Sequence, residues 1–134
     1  MSKPLSPAVQ ALKSQGVFKR LIKAWRYSVQ GFRAAWTHEA AFRSEAVLFA
    51  AMCLGLWFMP LSLGQKALML GMGLLTLVVE LLNSAIEAVV DLVSPDMHPL
   101  AGRAKDIASA AVFLCLISTG IVWGYLLCLG FGWL

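Results

Sequence analysis

Between residues 17 and 36, apolar side chains recur at three- and four-residue spacing, with Phe18, Leu21, Ile22, Trp25, Val29, Phe32 and Trp36 on one stripe. Lys19, Arg20, Lys23, Arg26 and Arg33 lie mostly off it. This pattern predicts an amphipathic helix over about 17–40, its basic face suited to anionic headgroups and its Trp side chains to the membrane–water boundary. Three apolar runs follow. The first, about 46–63, carries no charge, is broken near its end by Pro60 and is closed by Ser62, Gly64 and Gln65. The second covers about 67–93. At ~1.5 Å per residue its roughly 27 residues exceed the ~30 Å hydrocarbon layer, so the end carrying Glu87 and Asp91 is expected to project into the interface. A polar, turn-rich stretch with Pro95, Pro99 and Gly102 occupies 94–106, and the third run, about 107–131, holds no charge. Residues 1–16, with Pro4 and Pro7 among small and polar neighbours, read as a flexible lead-in to one domain over 17–134.

Composition agrees with that pattern. The chain has 134 residues, 60% of them hydrophobic and 13% charged, with a mean hydropathy of +0.77. This is too apolar for an ordinary soluble domain, and three spans leave no room for a separate soluble catalytic module. The expected fold class is therefore an all-α membrane protein, with an interfacial amino-terminal helix followed by three transmembrane helices. Cys53, Cys115 and Cys128 all lie in apolar stretches without a CxxC pair, so they read as small packing residues rather than a disulfide framework or zinc site. About forty-five residues of charged sequence precede the first long apolar run, which is not the layout of a secretory signal.

Basic residues set the expected orientation. Residues 1–45 hold eight of the eleven Lys/Arg, Arg103 and Lys105 flank the third run, and the short first connection offers only Lys66. The amino terminus is then cytoplasmic and the carboxyl terminus on the opposite side. Glu39, Glu45, Glu87, Asp91, Asp96, His98, Arg103, Lys105 and Asp106 fall on or near the nucleotide-containing side.

The chemistry concentrates in the stretch Glu80, Leu81, Leu82, Asn83, Ser84, Ala85, Ile86, Glu87. At about 100° per residue, positions 80, 83, 87 and 91 share one helical stripe. A charge near mid-bilayer costs roughly 2.5–3.5 kcal/mol on the lenient insertion scale, so ionisable groups there mark a functional site. Carboxylates gathered with Lys and Arg at a water–lipid boundary suit Mg²⁺-assisted phosphoryl transfer. No GxxxxGK[ST] motif and no kinase-type glycine loop is present. On composition and spacing, a membrane phosphotransferase, an ion or proton pathway built on Glu80, and a non-catalytic scaffold all stay open.

Three blocks carry a resemblance. EAAFRSE at 39–45, VELLNSAIEAVVD at 79–91 and GRAKDIASAAV at 102–112 are similar to the signature blocks of the prokaryotic integral-membrane diacylglycerol kinases, a family that includes the undecaprenol kinases. YSVQGFRAAWTHEAAFR at 27–43 resembles the Gram-negative diacylglycerol branch. The resemblance implies a homotrimeric helical bundle in the bacterial inner membrane, with the carboxyl terminus periplasmic and active sites shared between chains. Its expected partners are ATP, diacylglycerol, membrane lipids and further copies of itself, with no nucleic acid. The implied reaction phosphorylates the primary hydroxyl of 1,2-diacylglycerol to phosphatidic acid, returning diacylglycerol to phospholipid synthesis. A polyprenol kinase is the alternative within the family, and a small oligomeric ion or proton channel the alternative of another class.

Carried over by motif, Glu80 is implied as the general base and Asn83 as the organiser of that site. Glu39 and Glu87 are implied to hold Mg²⁺ on the ATP phosphates, and Lys105 and Asp106 to contact the nucleotide. Arg20, Tyr27, Asp96 and His98 match further nucleotide positions. The implied lipid site comprises Arg20, Ser28, Arg33, Ala41, Phe42, Arg43, Glu45, Glu80 and Ser109. For Arg33 and Glu45 a solvated ion pair competes with that role, for His98 a solvated surface position does, and His38 has no assigned role. Asp96 stands where the diacylglycerol branch usually has Glu, and Leu92, Pro99 and Ala101 replace more polar residues.

Overall fold

Residues 16–94, 96 and 98–133 are described by the computed structural model, which places four helices in succession: α1 (Val17–His38), α2 (Ala40–Phe58), α3 (Leu63–Val93) and α4 (Pro99–Gly130). The all-helical expectation holds among the described residues. Apart from Gly16, the expected lead-in lies outside them. Helices α2, α3 and α4 are each long and apolar enough to cross a bilayer. Two units divide the chain, one ending at Ala34 and one beginning at Ala35. The first is the body of α1, whose apolar stripe is open along its length, with Phe18, Trp25 and Phe32 all exposed. The second holds the last turn of α1 with α2, α3 and α4.

Local chemistry explains the helix ends. Glu39, extended at φ −106° and ψ 108°, separates α1 from α2, and its side chain makes no capping bond. Pro60 ends α2 by removing a backbone donor and forcing Met59 into an extended conformation, φ −80° and ψ 140°. The first span consequently stops at Phe58, short of the 63 read from hydropathy. Ser62 and Gln65 then form a capping box: Gln65 N–H donates to Ser62 Oγ at 3.3 Å, and Ser62 N–H donates to Gln65 Oε1 at 2.8 Å. That cap starts α3 at Leu63, one turn before the expected 67.

The stretch 94–106, read as a loop, is helical from Pro99 onward. Proline at the first helical position has its φ already set and gives up an N–H that would have been unpaired, while His98 caps the helix by accepting Leu100 N–H at Nδ1, 3.2 Å away. Arg103, Lys105 and Asp106 therefore project from the rigid first turns of α4.

Within the second unit, α3 packs along α4, and α2 packs on α3. Leu56, Met69, Trp123 and Leu126 are buried together near the α2–α3 connection. Gly73 lets the Phe49 ring lie on the α3 backbone, because a Cβ there would stand 2.5 Å from the ring. Polar side chains pin α4 to one edge of α3. Trp123 Nε1 donates to the Met69 carbonyl at 3.0 Å, Thr119 Oγ1 to the Met72 carbonyl at 3.3 Å, and the hydroxyls of Thr76 and Thr119 are 2.9 Å apart. In lipid such groups must find partners inside the protein, and each interhelical bond of this kind contributes on average about 0.6 kcal/mol.

Candidate active site

Helix α3 carries the site on one stripe. Glu80 is 3% exposed, Asn83 and Glu87 follow in half-buried positions, and Asp91 is exposed. Asn83 Nδ2 donates to Glu87 Oε1 at 3.1 Å, which fixes the Glu87 carboxylate against the helix. Ser84 returns its hydroxyl to the Glu80 main-chain carbonyl at 3.1 Å, leaving the Glu80 carboxylate uncommitted to it.

The start of α2 adds two more acids. Glu80 lies in the electrostatic field of Glu39 and Glu87, and Glu45 in that of Glu80. Four carboxylates from two helices thus share one field of a single sign. Two buried oxygens in this cluster, Glu45 Oε2 and Asn83 Oδ1, have no hydrogen-bond partner among the described residues. Buried acceptors without donors are rare in folded proteins, and together with concentrated negative charge they call for a cation or a hydroxyl-bearing ligand.

Hard divalent cations match an all-oxygen donor set. Among the described residues no three His, Cys, Asp or Glu side chains are arranged to enclose a metal by themselves. Mg²⁺ typically keeps waters and binds through one or two carboxylates together with ligand oxygens, a demand that the oxygen donors of this cluster can meet. Glu39 stands on its extended hinge and Glu87 is oriented by Asn83.

Positive charge meets the acidic row at its outer end. Lys105 Nζ contacts Asp91 Oδ1 at 2.8 Å, joining the first turns of α4 to the last turn of α3. Asp106 and Ser109 are exposed on α4. Between the helices, Ser94 Oγ donates to the Asp96 main-chain carbonyl at 2.8 Å, and the Asp96 and His98 side chains are exposed.

The other expected residues are distributed as follows. Arg20, Tyr27, Ser28 and Arg33 stand on α1 in the first unit. Phe42 is buried and Ala41 exposed on the first turn of α2. Arg43 spends its guanidinium on main chain, donating through Nη1 to the carbonyls of Trp36 at 3.0 Å and Thr37 at 3.3 Å. Sequence reading did not register Thr76, Thr119 or Trp123, although polar side chains at helical spacing inside charge-free runs were the available signal. It also left Asp91 without a partner.

Behind Glu45 a cavity of about 180 Å³ opens between α2, α3 and α4, with Phe49, Met52, Gly73, Thr76 and Gly120 among its walls.

A family model described as "Prokaryotic diacylglycerol kinase" matches residues 26–127. The chain is 46% identical over 116 residues to the diacylglycerol kinase of Escherichia coli (strain K12), covering 86% of this chain and 94% of that protein. Its identity to the diacylglycerol kinase of Pseudomonas aeruginosa is 45% over 115 residues, covering 86% and 94%. With the diacylglycerol kinase of Haemophilus influenzae it is 43% over 107 residues, covering 80% and 91%.

Proposed function

The chain belongs to the prokaryotic diacylglycerol kinase family, and from that membership we propose that it transfers the γ-phosphoryl group of ATP to the primary hydroxyl of 1,2-diacylglycerol, yielding phosphatidic acid and ADP. The observation that carries the site assignment is the buried Glu80 carboxylate at the head of the Glu80–Asn83–Glu87 row, inside a helix long and apolar enough to span a membrane.

The chemistry divides among the residues by depth. Glu80 accepts the proton of the lipid hydroxyl as its oxygen bonds to Pγ, while the bond from Pγ to the β–γ bridging oxygen breaks and ADP leaves. Glu39 and Glu87 would hold Mg²⁺ beside the nucleotide, with Asn83 keeping the Glu87 carboxylate in place. The chemistry that the ion would supply there is neutralisation of charge on the phosphates. Lys105 has three N–H donors and gives one to Asp91, which leaves two for phosphate oxygens. Asp106, Asp96, His98, Arg20 and Tyr27 complete the nucleotide side, and Ser28, Arg33, Ala41, Phe42, Arg43, Glu45 and Ser109 the lipid side.

The assembly belongs to the same reading. One chain leaves large apolar side chains such as Trp57, Phe58 and Leu63 more than four-fifths exposed, a surface that lipid and further copies cover in a homotrimer. The Lys/Arg distribution supports a bacterial inner-membrane location with the amino terminus cytoplasmic and the carboxyl terminus periplasmic. There the enzyme returns diacylglycerol to phospholipid synthesis.

Transfer of labelled γ-phosphate from Mg·ATP by purified protein in mixed micelles tests the proposal, with diacylglycerol and undecaprenol offered separately and Glu80→Gln as the blank. Glu80-dependent labelling of diacylglycerol is expected. Preferential labelling of undecaprenol would reassign the acceptor, and no labelling of either lipid would overturn the activity.

A further inference from the structure

The cavity behind Glu45 has a composition of its own. Its walls are almost wholly apolar, and two of its residues, Gly73 and Gly120, bring no side chain from facing helices. The Phe49 ring lies on Gly73, whereas a Cβ built at Gly120 meets nothing within 4 Å. Gly120 is exposed, and the space on its side of the cavity is unobstructed, with room for a side chain. Only two hydroxyls border this space, and both are already engaged: Thr76 Oγ1 donates to the Met72 carbonyl at 3.2 Å, Thr119 Oγ1 to the same carbonyl at 3.3 Å, and the two oxygens are 2.9 Å apart. Away from Glu45, no wall hydroxyl is left waiting for a polar ligand, so hydrocarbon fits that part of the cavity better than glycerol, sugar or phosphate.

Position supplies the occupant. Thr76 precedes Glu80 by one helical turn and Gly73 by about two, so the cavity continues along α3 from the buried carboxylate, away from the Lys105 end. Glu45, the sole charged residue among its lining residues, lies in the electrostatic field of Glu80. A diacylglycerol with its hydroxyl at Glu80 must send its chains away from the nucleotide side, and this space begins where one chain leaves the headgroup.

We propose that the α2–α3–α4 cavity seats one acyl chain of the lipid substrate and that Gly120 is a specificity-determining position, setting how much chain the enzyme accepts. This rests on the diacylglycerol kinase reading above. Gly120 touches no reacting atom, and its role is the space that it leaves.

The test is a chain-length profile. kcat/KM is measured for dihexanoylglycerol and dioleoylglycerol with wild-type protein, Gly120→Ala and Gly120→Leu. A side chain filling the cavity is expected to lower the dioleoyl-to-dihexanoyl ratio about tenfold in Gly120→Leu, the scale on which apolar pockets discriminate, with a smaller drop in Gly120→Ala. A merely structural role would lower both substrates alike. Replacing a helical glycine by alanine favours the helix, so Gly120→Ala keeps the comparison available if Gly120→Leu does not fold. Ratios unchanged from wild type overturn the cavity assignment and leave the kinase standing. A wild-type protein inactive on both diacylglycerols overturns the parent reading and this one with it.

Discussion

Asn83 donates from Nδ2 to Oε1 of Glu87 at 3.1 Å, one turn further along the same helix. With Glu87 proposed as a ligand of Mg²⁺, an amide that orients its carboxylate acts through it, and loss of such support typically costs about 10–100-fold in metal affinity. Asn83→Ala is expected to raise the Mg²⁺ concentration for half-maximal activity by about that factor. Titration of activity with Mg²⁺ at fixed ATP checks it, and an unchanged midpoint would detach Asn83 from the metal.

Glu80 and Glu87 should separate cleanly despite sharing one stripe. Glu80→Gln keeps shape and removes the base, so phosphoryl transfer should fall by roughly 10²–10⁴-fold while Mg·ATP binding stays near wild type. Glu87→Gln should instead weaken nucleotide and metal binding. Equilibrium binding of a non-hydrolysable ATP analogue, set beside turnover, distinguishes the two, and near-normal turnover in both variants would refute both roles.

Lys105 bridges to Asp91 across the α3–α4 connection at 2.8 Å, with both side chains open to solvent. An exposed pair of this kind adds little to folding and weakens as salt rises. The lysine is therefore expected to matter for ATP rather than for the fold. Lys105→Met should raise the KM for ATP far more than Asp91→Asn does, with neither shifting the thermal midpoint appreciably. A large loss of stability in Lys105→Met would make the pair structural.

Trp123 and Thr119 hold α4 against α3 through the carbonyls of Met69 and Met72. Trp123→Phe and Thr119→Val should each destabilise the folded protein by about 0.6–2 kcal/mol, the range for interhelical hydrogen bonds in membranes. Unfolding followed by circular dichroism in a denaturing detergent measures this. The KM for ATP should not move, because their partners, the Met72 and Met69 carbonyls, lie two to three helical turns before Glu80 on α3.

Helix ends show where the sequence was readable and where it was misread. The break at Pro60 is visible in the sequence, but its consequence at Met59, four residues before the apolar run ends, is a backbone constraint that hydropathy does not register. Pro99 looked like a loop residue, yet at the first helical position with His98 as cap it begins α4. Proline has both meanings, and only the neighbouring capping geometry chooses between them.

By itself the sequence determined what depends on local periodicity and composition: three apolar runs long enough to cross a bilayer, and one stripe joining Glu80, Asn83, Glu87 and Asp91. Helical rise and turn are the same for every segment, so residues on one helix can be placed on a common face without knowing its neighbours. Tertiary structure alone decided what reaches that stripe from elsewhere. It set Glu39 and Glu45 in the field of Glu80, laid Lys105 against Asp91, paired Thr76 with Thr119, and opened the cavity beside Gly120. Those relations depend on the register between helices, which follows from close approaches such as Phe49 on Gly73 and is written in no single segment of the chain.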